Sequence, residues 1–164
     1  MEGKTQLTQI QERNDQEGLV NFRTEEWRKE QLEACKGIVE EIFREVGVKI
    51  GDAFFVEVTE DYNPDKEDDY SLRIYIESSK VDYIRMTYRP LKNNVDWYKV
   101  SVNTNYRKQG IGTALEEGVE HIARMLGAHS LTLSNIVDSS LEYWRRKSGV
   151  VFDETGRNAI KQLP

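Results

Sequence analysis

The chain has 164 residues, enough for one domain with a real core and too few to need two. Its formal charge of −6 argues against a general nucleic-acid binder, which would present a basic face. A single cysteine, Cys35, excludes an internal disulfide and a multi-cysteine zinc site, and His121 and His129 lack metal-ligand spacing, so no metal is expected. No apolar run approaches membrane-spanning length and the polar, charged N-terminus is unlike a secretory signal. No membrane partner and a cytoplasmic location are therefore expected.

Residues 1–20 are polar and read as a flexible segment ahead of one domain over residues 21–164. Thr24 can cap a helix whose first turn carries Glu25 and Glu26, the charge sign favoured there. Trp27, Ala34, Ile38, Ile42 and Val46 then recur near helical spacing, flanked by Cys35, Val39 and Phe43, with Gly47 as the expected stop. Cys35 falls within this apolar pattern and reads as a packed thiol. Four strands are predicted, over residues 53–59, 70–77, 81–89 and 95–103, with short links that suggest antiparallel hairpins. Between Glu57 and Asp69 lie Glu60, Asp61, Asp65, Glu67 and Asp68, countered by Lys66 alone. This acidic stretch reads either as a solvated loop or as a negative rim attracting a cationic acceptor.

The stretch from Val100 to Leu115 carries the most information. It reads as a strand ending in Val100 and Val102, a basic turn with Arg107 and Lys108, then Gly110 and Gly112 opening a helix. Unpaired amides of a first helical turn, with the macrodipole behind them, form an anion cradle. The glycine pattern fits neither the Walker nor the dinucleotide fingerprint, and Gly3-Lys4-Thr5 matches only the ending of the former. Ile111, Ala114, Leu115, Gly118, Val119, Ile122 and Leu126 mark one helical stripe, which Gly127 ends. A strand over 130–137, a helix over 139–147 and a last short strand over 150–153 complete the reading.

Arg107-Lys108-Gln109-Gly110-Ile111-Gly112 resembles the Arg/Gln-x-x-Gly-x-Gly/Ala signature of the GNAT acyltransferase superfamily, and the preceding Val-x-Val strand stands at that family's spacing. The resemblance implies an α/β (α+β) fold, a single GNAT-like domain whose mixed, mostly antiparallel twisted sheet is flanked by helices. It implies acetyl-CoA as acyl donor, with coenzyme A as product. Arg107, Lys108, Gln109, Gly110, Ile111, Gly112 and Thr113 would then hold the pyrophosphate. The backbone of Val100, Ser101 and Val102 would hold the pantetheine arm, where two neighbouring strands splay apart. The element order agrees with the family from about Tyr70 onward. The N-terminal third departs from it, because one long helix stands where the family has a strand and two helices.

Acetyl transfer to an amine requires a neutral nucleophile, a polarised thioester and a proton for the departing thiolate. Asp96 is the candidate base, eleven residues before Arg107, where lysine-directed members of the family often carry Glu. It is expected to share strand parity with Tyr98, Val100 and Val102, although Asn93-Asn94-Val95-Asp96 also reads as turn chemistry. Glu57 is a second candidate. The family's acid is a Tyr in the helix after the splayed strand. Arg145 occupies that position here, leaving Tyr143, on another helix face, as either the acid or a packed aromatic. Arg145, Arg146 and Lys147 read as a favourable cationic helix end or as a contact to coenzyme A phosphate. Trp27, Trp97 and Trp144 read as core anchors. The resemblance implies acetylation of a protein lysine, a protein N-terminus or a small amine. A degenerate GNAT-shaped module that binds acyl-CoA or a protein is the alternative, favoured by Arg145.

Overall fold

Thr24 opens the first helix, α1 (Glu25–Ile50), from an extended conformation, its Oγ1 accepting the Trp27 N–H at 3.1 Å. A computed structural model describes residues 24–66, 70–102, 104–106, 109–136 and 138–164. The polar segment 1–20, Glu67, Asp68 and Asp69 of the acidic stretch, and Arg107 and Lys108 lie outside the described residues. The end of α1 differs from expectation: the helix runs through Gly47 and stops at Gly51, whose φ of 70° is left-handed. Gly47 is a packing glycine instead. A Cβ there would collide with the Asp52 carbonyl oxygen, where the chain folds back and the Asp52 N–H donates to Gly47 at 3.0 Å.

Seven strands follow: β1 (Phe55–Asp61), β2 (Ser71–Glu77), β3 (Val81–Arg89), β4 (Asn94–Val102), β5 (Ser130–Leu133), β6 (Val150–Phe152) and β7 (Ala159–Gln162). Their order in one mixed sheet is β1-β2-β3-β4-β5-β7-β6, with β4 and β5 parallel and the other described pairs antiparallel. β7 is not predicted from the sequence. It spans only Ala-Ile-Lys-Gln, too short to show alternation, and it inserts between β5 and β6. β5 is shorter than expected, because Asn135 turns the chain with a φ of 56°.

Helices cover one face of the sheet. Leu72, Ile74 and Ile76 of β2, with Ile84, Met86 and Tyr88 of β3, are buried on that face, while Arg73 and Arg85 stand exposed. The Tyr88 hydroxyl donates to the Leu126 carbonyl at 3.0 Å, tying β3 to the end of α2 (Ile111–Met125). Gly118 lets α2 approach α1, since a Cβ there would stand 2.8 Å from Val46 Cγ2. Among the described residues no helix is long and apolar enough to cross a membrane, and no cluster of His, Cys, Asp and Glu could hold a metal ion.

Cys35 is fully buried in α1, and burial pushes its thiol up to about 12. A neutral, inaccessible thiol does not react. The native protein is therefore expected to resist a thiol reagent at neutral pH and to react stoichiometrically in denaturant; rapid labelling of the folded chain would contradict the packing described.

Candidate active site

The helix start that the sequence marks is open to solvent. Gly110 precedes α2 with a φ of 76°, and among the described residues no side-chain cap bond closes the first amides. That conformation favours glycine, whereas Gly112 lies inside the first helical turn. A Cβ added at either would meet nothing within 4 Å, so the space before the free amides is clear. Buried Ile111 anchors the turn beneath it, Thr113 is exposed, and the Gln109 side chain donates to the Asn105 carbonyl at 3.5 Å. These features suit a bulky anion.

A strand separation lies beside this helix. β4 pairs with β5 from Asn94–Ser130 to Trp97–Leu133, and there the parallel register ends. The Ser134 N–H still reaches the Trp97 carbonyl at 3.3 Å before the chain turns at Asn135. β4 continues to Val102, paired among the described residues with β3 alone, through Val81–Val102. One backbone edge from Tyr98 to Val102 therefore has no strand neighbour among the described residues, and Val100, Ser101 and Val102 belong to it. Trp97 Nε1, at the fork, is a buried donor with no hydrogen-bond partner among the described residues. An open backbone edge suits an elongated ligand that carries amides and carbonyls.

The expected strand parity is corrected by a bulge. Lys99 pairs with Arg85 and Trp97 with Met86, which leaves Tyr98 as the extra residue. Asp96 is consequently in register with Thr87, while Val100 is in register with buried Ile84. Asp96 is a strand residue and not part of the turn, a role filled by the 3-10 segment Pro90–Lys92 and Asn93 at a φ of 49°. Its carboxylate is half-buried at the fork and accepts the Ser134 hydroxyl at 2.8 Å. Burial raises its pKa, against the opposing effects of the Ser134 bond and the Arg89 charge. Glu57 stands exposed on edge strand β1, with β2 and β3 between it and β4, so the structure does not bring it to Asp96. Within the acidic stretch, Glu60 accepts from Tyr70 at 3.1 Å and Asp61 pairs with Arg73 at 2.7 Å.

Helix α3 (Asp138–Arg145) supplies the other group. Trp144 packs edge-on against Trp97 with ring centroids 5.7 Å apart, which seats α3 over the fork on the helix-covered face. Arg145 is exposed at the helix end, and it is Tyr143 that turns inward, to α2. The Tyr143 hydroxyl donates to Glu116 Oε2, the Lys147 ammonium reaches the same oxygen at 3.2 Å, and Thr113 also bonds the phenol. Burial first, then the bond and charge of Glu116, raise the Tyr143 pKa. Asp96 alternates with inward-facing Trp97, so it lies on the face of β4 opposite the one on which α3 is seated. Arg146 pairs with Glu142 at 3.3 Å along the helix surface. Trp27 packs on Tyr70 with ring centroids 5.2 Å apart, a core anchor as expected. Glu116 has no signature in the sequence: it is a buried carboxylate inside an otherwise apolar stripe, and only its partners reveal it.

No curated protein sequence matches the chain. Among solved structures, Tetrahymena GCN5 is 13% identical, with 89% of this chain and 94% of that chain covered and a TM-score of 0.44. Nourseothricin acetyltransferase is 19% identical, with coverages of 69% and 89% and a TM-score of 0.41. A Bacillus subtilis acetyltransferase in complex with CoA is 15% identical, with coverages of 68% and 100% and a TM-score of 0.36. The sequence pattern of the Acetyltransferase (GNAT) family matches residues 38–149, from the middle of α1 to the end of the Tyr143 region and so well upstream of Tyr70. With that pattern spanning the glycine turn, the fork and α3, the chain belongs to the GNAT acetyltransferase family.

Proposed function

We propose that this protein transfers an acetyl group from acetyl-CoA to an amine. The observation that carries the reading is the junction of an unpaired β4 edge with an uncapped, glycine-opened helix start. In this reading the amides of Gly110, Ile111, Gly112 and Thr113, with Gln109, Arg107 and Lys108, hold the pyrophosphate. The β4 backbone at Val100, Ser101 and Val102 holds the pantetheine arm. Acetyl-CoA, when bound, supplies an acyl group already activated as a thioester. Asp96 takes the proton of the incoming amine, its raised pKa suiting a base that must also release that proton. Tyr143 holds the proton that the departing thiolate requires. The acceptor in this reading is an amine such as a lysine side chain, a protein N-terminus or a polyamine.

One observation favours a second reading, in which the chain binds acyl-CoA without turnover: the Tyr143 proton is already engaged by Glu116. Release of coenzyme A, followed as free thiol with lysine peptides, N-terminal peptides and polyamines in turn, separates the two. Amine-dependent thiol release supports transfer. Binding of acetyl-CoA with no release above hydrolysis across the amines would replace it with the binding module.

A further inference from the structure

The arrangement around Tyr143 goes beyond what holding a cofactor needs. Glu116 lies in α2 one turn after Gly112, its side chain only 6% exposed, and a carboxylate so placed is costly unless paired. Its pairing is unusual in that one oxygen, Oε2, receives both the Tyr143 hydroxyl and the Lys147 ammonium. Lys147 also lies over the Tyr143 ring, 4.8 Å from its centroid, while its side chain stays 36% exposed to water. The three groups thus form a continuous polar path from the phenol, which turns toward α2, to solvent. A structural ion pair would need only Glu116 and Lys147.

We propose that Lys147 is a proton-relay residue which resupplies the Tyr143 hydroxyl during turnover, with Glu116 as the positioning residue that holds donor and acceptor together. This rests on the acetyl-transfer reading above. Tyr143 gives its Oη proton to the departing sulfur, breaking O–H and forming S–H, and is left as phenolate. Lys147 then breaks an N–H bond to restore the phenol, and its partly exposed side chain recovers a proton from solvent, balancing the amine proton that Asp96 releases there. No other reactant is needed. The groups bearing on the phenol are Glu116 and Thr113 from α2 and Lys147 after α3. Glu116 favours the protonated phenol, and the Lys147 and Thr113 bonds favour the phenolate.

The test begins without cofactor, by following the Tyr143 ring titration by NMR, with the signal assigned through its loss in Tyr143→Phe. Lys147→Met should move the titration to higher pH, and the near-isosteric Glu116→Gln should move it lower. With acetyl-CoA and an amine, Lys147→Met should lower kcat roughly tenfold or more with KM little changed, a modest part of what acid–base catalysis supplies. Lys147→Arg keeps the cation but scarcely releases a proton, so it should hold the titration in place without restoring kcat. A Tyr143 titration unmoved in Lys147→Met, or full rescue of kcat by Arg, would overturn the relay. If the titration shifts as stated but the native chain transfers no acetyl group, the acetyl-transfer reading fails and the relay has no turnover to serve; a native chain that turns over with an unmoved titration sinks the relay alone.

Discussion

Gly112→Glu is expected to abolish the stabilisation that acetyl-CoA confers while leaving the free chain as stable as before, or more so. Two glycines open α2, and they differ in what a side chain would do. At Gly110 the φ of 76° makes any L side chain strained, so a substitution there confounds folding with binding. Gly112 lies within the helix, and its Cβ would meet nothing within 4 Å. Replacing an exposed helical glycine removes a cost of about 1 kcal/mol, and a carboxylate in the first turn suits the macrodipole. The same carboxylate projects toward the space where the proposed pyrophosphate sits, adding bulk and like charge. For the native chain, acetyl-CoA at about one hundred times its dissociation constant should add about 2.7 kcal/mol. At about 2–4 °C per kcal/mol for a chain of this size, Tm should rise by about 5–10 °C. Calorimetry of both proteins with and without acetyl-CoA makes the comparison. A variant that keeps the ligand-induced shift would move the anion site away from this helix start.

The features legible in the sequence are those whose causes are local. The Thr24 cap, the apolar stripes of α1 and α2 and the glycine turn each depend on residues within a few positions of one another, and each stands where the spacing predicts. The helix stop is not local in this way: Gly47 is the expected terminator, and the cap is Gly51. Only the return of Asp52 onto Gly47 distinguishes the packing glycine from the capping one. The parity of Asp96 depends on a register with β3 that extends one residue on one strand and two on the other, which no single-strand pattern encodes. β7 needs two neighbours before its four residues become a strand. Glu116 is the extreme case: a polar residue in an apolar stripe looks like noise until Tyr143 and Lys147, about thirty residues on, arrive at the same oxygen.

Asp96→Asn should lower kcat/KM about 100-fold, within the range general base catalysis supplies, with little change in Tm. Asn keeps the size of the side chain and still offers an oxygen to the Ser134 hydroxyl, so the end of the β4–β5 pairing should survive. The pH dependence distinguishes a base from a packing residue. Asp96 must be ionised to accept the amine proton, so activity should climb as pH rises through its pKa, which burial has raised above the ordinary carboxylate value. Ser134 donates to the ionised form and opposes that rise. Ser134→Ala should therefore move the acidic limb of kcat/KM to higher pH, while Asp96→Asn should remove the limb and leave only the acceptor's own ionisation. The amine cannot mimic this result, because its pKa in solution is indifferent to Ser134. An unshifted limb in Ser134→Ala together with near-native rates in Asp96→Asn would take the base away from Asp96, and the amine would then lose its proton directly to water at the fork.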